Sequence, residues 1–189
     1  MTPLWLKIQV RLPVCEIVSI GKNWLSIGFG AHFNPAVSFA EFLWKRISAK
    51  ELLGYLLVQV AGALVGVWIT HFMFGQQIIQ LSTHDRGEIR FFVSEVVATF
   101  GLLLVIALSG KKNVETTPTA VALFITSAYW CTSSTSFANP AVTIARSFTN
   151  TFSGIQWSGA PVFIAAQATG ALLAFAVTKV LSGENKSLK

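Results

Sequence analysis

Three long stretches of the chain contain no Asp, Glu, Lys or Arg. They cover residues 52–84, 116–145 and 147–178. A helix of about 20 apolar residues crosses the roughly 30 Å hydrocarbon core of a bilayer, so stretches of this length are typical of a membrane protein. The pattern predicts four spanning helices, at Leu52–Phe74, Phe91–Ser109, Pro118–Ser134 and Pro161–Leu181.

Local signals mark how these helices begin and pack. Ser48 and Glu51 have the S-x-x-E spacing of a capping box, which predicts a helix start before the first span. Small residues four positions apart let helix backbones approach closely in a membrane. We expect such a packing face at two pairs, Gly62 with Gly66 and Ala166 with Gly170.

Two shorter apolar segments, Asn34–Trp44 and Asn139–Phe148, each begin with the sequence Asn-Pro-Ala-Val. At about 1.5 Å per residue, neither is long enough to cross a membrane as a helix. Asn is a favoured N-cap, and Pro is favoured at the first helical position. The pattern therefore predicts two re-entrant half-helices, which begin at the two Asn-Pro-Ala boxes.

The two halves of the chain repeat this arrangement. Each box is followed by a spanning helix with the pattern Q-x-x-G-A, at Gln59 and at Gln167. Three predicted spans separate the boxes, and an odd number of crossings makes the half-helices enter from opposite faces. The sequence therefore predicts an all-α membrane protein, an inverted-repeat helical bundle with a site at the membrane midplane.

The few charges restrict the class of protein and its orientation. Charged residues make up 12% of the 189 residues, and the net charge of +6 is spread out rather than clustered. This distribution argues against a soluble globule, a disordered chain and a nucleic-acid binder. Since cytoplasmic loops carry an excess of Lys and Arg, we expect a cytoplasmic carboxyl terminus, with residues 183–189 as its tail. The cytoplasmic cations would be Lys45, Arg46, Lys50, Lys111, Lys112, Lys179, Lys186 and Lys189, against Arg86, Arg90 and Arg146 outside.

The sequence contains no P-loop, no dinucleotide-binding glycine pattern and no H-E-x-x-H motif. Its two cysteines, Cys15 and Cys131, give neither a disulfide framework nor the spacing of metal ligands. We therefore expect a protein that is not an enzyme and that uses no cofactor and no metal.

The predicted midplane site has a chemistry of its own. Two half-helices that meet at their N-termini bring two partial positive charges together, which repel cations but not neutral molecules. The oxygens of Asn34 and Asn139 can cap the helices while their NH2 groups point into a lumen and donate to a passing water or alcohol. These features predict a pore for uncharged solutes.

Glu95 is the acidic residue inside a predicted span, and a carboxylate within a membrane is functional by default. It either accepts backbone N–H bonds that support a re-entrant loop, the role we favour, or transfers protons. An ion-coupled transporter is disfavoured, because such proteins usually need more charge within the membrane.

The doubled Asn-Pro-Ala boxes, the lead-in Gly30-Ala31-His32-Phe33 and the Q-x-x-G-A helices resemble the major intrinsic protein family, the aquaporins and aquaglyceroporins. The resemblance implies one pore per subunit and a homotetramer, here in a bacterial inner membrane. Glu95 and Thr99 match the family's fourth-helix motif, and His32 would lie in the cytoplasmic vestibule or form a structural hydrogen bond. The implied pore constriction consists of Asn34, Pro35, Ala36, Asn139, Pro140 and Ala141.

One departure from the family concerns the selectivity filter. Water-selective members carry Arg three residues after the second Asn, where this chain has Val142. The resemblance implies a filter of Ser127, Ser136 and Val142, with Arg146 one helical turn further out at the outer mouth. A filter with Val lacks a positive charge, so we expect passage of glycerol-like polyols, urea, or neutral hydroxides of arsenic or antimony.

A second departure concerns length. Glu95 precedes Asn139 by more residues than the chain offers before Asn34, so the resemblance implies that the family's first helix is absent. We expect one channel domain over 1–189, with a divergent or truncated segment 1–27 and repeats at 28–84 and 85–182. The alternative is a non-conducting remnant of such a channel.

Overall fold

The computed structural model describes residues 32–112 and 116–187. Within these ranges the regular elements are helices, which confirms the all-α prediction. They are α1 (Pro35–Leu43), α2 (Ala49–Met73), α3 (Ile89–Lys112), α4 (Thr117–Cys131), α5 (Pro140–Arg146) and α6 (Ala160–Ser187), with a 3-10 turn at Trp157–Gly159. The predicted divergent segment 1–27 with Cys15, the lead-in residues Gly30 and Ala31, and Lys189 lie outside the described residues.

Three of the described helices are long and apolar enough to cross a membrane. These stretches are Ala49–Met73, Ile89–Gly110 and Trp157–Ser182. They confirm three of the four predicted spans, with boundaries that differ by a few residues.

The helix predicted at Pro118–Ser134 is present as α4, but it is shorter than predicted. α4 has 15 residues, which corresponds to about 22 Å of helix. It ends at Cys131 because Thr132 takes an extended conformation. Ser134 then turns toward α3, where its hydroxyl donates to Glu95 Oε1 at 2.6 Å, so the chain leaves the helix to satisfy a buried carboxylate.

α2 begins at the predicted capping box. The Ser48 hydroxyl accepts from the Glu51 amide at 3.3 Å, and the Glu51 carboxylate accepts from the Ser48 amide at 2.7 Å. These bonds satisfy amides that the start of a helix otherwise leaves without a partner.

The predicted half-helices are α1 and α5, with 9 and 7 residues. Each has Asn as its N-cap and Pro in its first turn, as the sequence predicts. Both pack against α2 and against α6. The two half-helices therefore lie between the same pair of spanning helices, one from each half of the chain.

Close packing joins α3 to α6. A Cβ added at Gly170 would lie 2.7 Å from the Val96 carbonyl oxygen and 3.0 Å from the Phe100 amide nitrogen, so only glycine allows this approach of the two backbones. Ala166, one turn earlier, is fully buried. The predicted packing face at Ala166 and Gly170 is confirmed.

The other predicted packing face, at Gly62 and Gly66, has no partner in the described part of the chain. No described heavy atom lies within 4 Å of a Cβ built at either glycine.

Small side chains fill the interior where helices cross. One buried cluster joins α1 to α3 and α6 through Val37, Ala40, Leu103, Ala171 and Ala174. A second joins α3 and α4 to the segment before α5 through Ala98, Leu102, Val121 and Ala138. Van der Waals packing of these side chains holds the half-helices against the spanning helices, because lipid tails are as apolar as the side chains and supply no hydrophobic driving force between helices.

Candidate functional site

Each half-helix begins at an asparagine that caps it. Asn34 Oδ1 accepts from the Ala36 amide at 2.9 Å, and Asn139 Oδ1 accepts from the Ala141 amide at 3.0 Å. Both asparagines have a φ of −157°, the extended conformation of an N-cap. The two boxes therefore fold identically, because the same Asn-Pro-Ala sequence sets the same cap.

The two asparagines also bind across the junction between the halves. Asn34 Nδ2 donates to the Ala138 carbonyl at 2.7 Å, and Asn139 Nδ2 donates to the Phe33 carbonyl at 3.0 Å. Each acceptor belongs to the residue that precedes the opposite asparagine. These reciprocal bonds hold the N-termini of α1 and α5 together, tip to tip.

This geometry corrects one detail of the sequence interpretation, which directs both NH2 groups into a lumen. One N–H of each amide donates to the opposite half, and a primary amide has two. One donor on each asparagine is therefore outside this pair of bonds. Asn34 is buried and Asn139 is half-buried.

Backbone strain accompanies the junction. Phe33 and Ala138, which supply the two carbonyl acceptors, have positive φ values of 48° and 46°. A residue with a Cβ disfavours this left-handed conformation by about 1–2 kcal/mol. The hydrogen bonds from Asn34 and Asn139 to these two carbonyls help to offset this strain.

The Q-x-x-G-A helices hold the half-helices in the same way in both repeats. Gln59 Nε2 on α2 donates to the Ser38 hydroxyl at 3.1 Å, and Gln167 Nε2 on α6 donates to the Thr143 hydroxyl at 2.9 Å. Ser38 and Thr143 each lie four residues after their asparagine. The contacts follow the repeat that the sequence predicts.

Glu95 is fully buried and accepts hydrogen bonds around the second half-helix. The donors are the Ser134 hydroxyl at 2.6 Å, the Phe137 and Ala138 amides at 2.8 Å each, and Gln167 Nε2 at 2.7 Å. A buried carboxylate is stable when its oxygens accept several such bonds. The arrangement matches the support of a re-entrant loop, the favoured of the two roles. Thr99, one turn along α3, packs beside Gly170.

His32 lies beside the first half-helix. Its Nδ1 is 3.1 Å from the Ser38 hydroxyl, and its ring stacks on Tyr55 with centroids 4.6 Å apart. The structural hydrogen bond, one of the two alternatives for this residue, is therefore present. Within residues 32–112 and 116–187, no group of His, Cys, Asp and Glu could hold a metal ion.

The three predicted filter residues lie on two separate segments. Ser136 and Val142 flank Asn139, Ser136 buried and Val142 partly buried. The Ser136 Oγ has no hydrogen-bond partner among the described residues. Ser127 is exposed on α4, and its hydroxyl donates to the Leu123 carbonyl at 2.9 Å within its own helix.

Arg146 and Glu41, each seven residues after its asparagine, contact different groups. Arg146 Cζ lies 4.2 Å from the centroid of the Phe137 ring. Glu41 forms a salt bridge of 3.0 Å with Arg46, at the opposite end of the half-helix pair. The two residues are therefore separate charges rather than a pair.

Arg86 is a functional candidate that the sequence interpretation missed. It is buried, and its guanidinium donates to three carbonyls: Gly154 at 2.9 Å, Ser134 at 3.2 Å and Phe152 at 3.1 Å. Burial lowers the pKa of Arg86, and the Tyr129 and Glu95 side chains oppose that shift. The group stays cationic at neutral pH, because arginine keeps its proton in proteins.

The segment before Arg86 lies over the C-terminal end of α5. Ser82 N donates to the Ser147 carbonyl at 3.0 Å. Buried His71 joins this segment to the loop after α5, since its Nδ1 donates to the Ile78 carbonyl at 2.8 Å and its Nε2 lies 2.9 Å from the Thr149 hydroxyl. We call this end of the molecule, with residues 74–88 and 146–157, the Arg86 face.

An apolar cleft of about 360 Å³ lies beside the junction. Pro35 and Pro140, from the two boxes, line the cleft together with apolar side chains of α2 and α6 such as Leu56 and Ile164. Neither asparagine is among the residues that line it. The polar side of the junction is therefore the side of Asn34 and Asn139.

Comparison with known proteins identifies relatives of this chain. A family model described as "Major intrinsic protein" matches residues 17–137. "Aquaglyceroporin AqpS" of Rhizobium meliloti (strain 1021) is 45% identical over 152 residues, which cover 80% of this chain and 65% of that protein. The "Glycerol uptake facilitator protein-like 6" of Lactiplantibacillus plantarum is 26% identical over 165 residues, which cover 82% of this chain and 76% of that protein. "Propanediol uptake facilitator PduF" of Citrobacter freundii is 31% identical over 83 residues, which cover 40% of this chain and 31% of that protein.

The chain spans slightly less than two thirds, 65%, of the length of the rhizobial relative. The family model covers more than half of the chain, and the three spanning helices identify an integral, multi-pass membrane protein. The chain belongs to the major intrinsic protein family, whose members are passive membrane channels and not enzymes.

Proposed function

We propose that this chain forms a passive channel for water and small uncharged solutes. The observation that carries the proposal is the pair of reciprocal bonds between Asn34 and Asn139, which joins two capped half-helices at their N-termini. Irregular backbone at membrane depth is tolerated where it is buried in protein or lines a cavity. The second N–H of each asparagine supplies a donor that a water or an alcohol can accept from.

Charge exclusion follows from the same junction. Each half-helix N-terminus carries about half a positive charge near its tip, and the reciprocal bonds hold the two tips together. A cation or hydrated proton at this point is repelled, whereas a neutral polar molecule is not. Six residues would form this constriction: Asn34, Pro35, Ala36, Asn139, Pro140 and Ala141.

The filter residues favour neutral solutes larger than water. Val142 replaces a guanidinium with an apolar side chain at the filter position, next to Ser136, and Ser127 would complete the filter from α4. Two of the relatives are named for the uptake of glycerol and of propanediol. We infer that glycerol-like polyols, urea, or neutral arsenic and antimony hydroxides pass.

The setting of the channel is also a proposal. The distribution of Lys and Arg favours the Arg86 face outside and the carboxyl terminus in the cytoplasm. A bacterial inner membrane is supported by the rhizobial relative. We propose a homotetramer in which each chain forms one channel domain with its own pore.

A permeability assay on the purified chain tests the proposal. Liposomes with and without the protein are exposed to a glycerol, urea or sucrose gradient, and light scattering follows their volume. We expect faster reswelling in glycerol and urea with protein than without it. In sucrose we expect faster initial shrinkage with protein, because water leaves through the channel, and no reswelling. Equal rates with and without protein for all three solutes would contradict the channel and favour the non-conducting alternative.

A further inference from the structure

Two arginines approach the same aromatic ring beside the second half-helix. Arg86 Cζ lies 5.3 Å and Arg146 Cζ lies 4.2 Å from the centroid of the Phe137 ring. Phe137 is buried and follows Ser136, the filter residue on this segment. Two positive charges from distant parts of the chain are therefore gathered at one end of the predicted filter.

The position of Arg86 is fixed. Its three carbonyl acceptors belong to the segment before Asn139 and to the loop after α5. Neither salt bridge between described residues, Glu41 with Arg46 and Glu88 with Arg90, includes Arg86. Its guanidinium thus contacts carbonyl dipoles and forms no salt bridge with a described carboxylate, while the Glu95 carboxylate acts on its charge from a longer distance.

Arg146 brings its charge from the other side of the filter position. It is the last residue of α5, one helical turn beyond Val142. It is partly buried, and burial against an aromatic ring strengthens the attraction between a guanidinium and that ring.

We propose that Arg86 and Arg146 together supply the fixed positive charge at this entrance that Val142 lacks, and that they set its selectivity against cations. The inference rests on the proposed channel function. In this arrangement different residues exclude cations and set the size of the opening, whereas a single filter arginine would do both. The arginines stand outside the constriction and repel cations through the local potential, while Val142 leaves the constriction open to larger neutral solutes.

Charged thiol reagents measure this potential without any need for solute flow. A Val142→Cys variant is made in a background with Cys15→Ser and Cys131→Ser. The protein is placed in phosphatidylcholine nanodiscs, which leave both faces accessible. Rates are compared for an anionic methanethiosulfonate, the ethylsulfonate, and a cationic one, the ethyltrimethylammonium, relative to their rates with free 2-mercaptoethanol.

We expect the anionic reagent to be favoured over the cationic one by roughly tenfold or more at low salt, because a nearby unit charge acts with opposite sign on the two reagents. Arg86→Gln and Arg146→Gln should each reduce this preference several-fold. Arg86→Lys and Arg146→Lys should keep most of it, since they keep the charge but lose the fork of the guanidinium.

Arg90→Gln is the matched control. Arg90, two residues beyond the Arg86 face, is exposed and paired with Glu88 at 2.6 Å, so the preference should stay within twofold of the parent. A preference that is unchanged in both Gln variants would overturn the proposal. A loss that is equal in the Lys and Gln variants would also overturn it, because it would reflect loop structure rather than charge.

A Val142→Cys thiol that reacts with neither reagent would likewise overturn it, because the entrance would then be closed to solutes. Failure of the proposed channel function would be seen in a different measurement. Glycerol swelling would then equal that of empty liposomes, while the reagent preference still reports the charge at the entrance.

Discussion

Asn34 and Asn139 each donate a side-chain N–H to the carbonyl of the residue that precedes the other, at 2.7 Å and 3.0 Å. The two residues are far apart in sequence and come from half-helices of opposite halves. The same side chains cap their own helices through Oδ1. One residue type thus sets the start of each half-helix and its attachment to the other.

Aspartate at either position separates these two roles. Asp is as good an N-cap as Asn, but it has no N–H for the opposite carbonyl and adds a negative charge at the junction. We expect Asn34→Asp and Asn139→Asp each to destabilise the fold by about 2 kcal/mol and to raise proton and cation leakage. Proton flux into proteoliposomes with a trapped pH dye measures the leak.

The two aspartate variants are matched controls for one another, because the bonds they remove are reciprocal. A raised proton flux in one variant and a wild-type proton flux in the other would contradict an equal contribution of the two half-helices to charge exclusion.

Glu95→Gln tests the support of the second half-helix. The substitution replaces one carboxylate oxygen with an NH2 group. Hydrogen-bond donors contact both Oε1 and Oε2 of Glu95, so this NH2 group would face other N–H or O–H donors whichever oxygen it replaces. We expect a loss of about 3 kcal/mol in stability, measured as a lower thermal midpoint in detergent. Glu88→Gln removes an exposed salt bridge and should cost under about 1 kcal/mol. Equal effects of the two changes would refute a structural role for Glu95.

Gly170→Ala tests the contact between α3 and α6. The new Cβ would press on the Val96 carbonyl and the Phe100 amide, and backbone atoms cannot move aside without separating the helices. Overpacking of this kind costs roughly 1–3 kcal/mol, which should appear as a lower thermal midpoint. Gly54→Ala on α2, where no described atom lies within 4 Å, should leave the midpoint unchanged or slightly higher, because Ala favours a helix. The same midpoint for both variants would argue against the close approach.

Val142→Arg tests the filter. A guanidinium at this position would narrow the entrance and add donors beside Ser136. We expect glycerol permeability to fall about tenfold or more, as for other steric and polar mismatches in a fitted site, while water permeability changes little. Thr143→Ser, at the neighbouring buried position that contacts Gln167, keeps the hydroxyl and is a suitable control. If glycerol permeability is unchanged in Val142→Arg, the filter assignment is wrong.

The half-helices and three spans could be predicted because their signals are local. Asn and Pro fix where a helix begins, and long charge-free stretches fix which segments are apolar. The end of α4 could not be predicted in this way, because Ser134 leaves the helix to reach Glu95 on another helix.

The reciprocal bonds and the role of Arg86 depend on the folded arrangement of distant segments. The acceptors of Asn34 and Asn139 are backbone carbonyls, which every residue carries and no sequence pattern marks. Arg86 appears in the sequence as one more cation, and its three acceptors come together only after the loops fold around it.

The most direct test measures glycerol uptake and proton flux in the same proteoliposomes that contain the wild-type chain. The reciprocal junction predicts glycerol swelling well above that of protein-free liposomes, with proton flux equal to theirs. Glycerol uptake no faster than in protein-free liposomes, or a proton flux that rises together with it, would contradict a pore that admits neutral solutes and excludes charge.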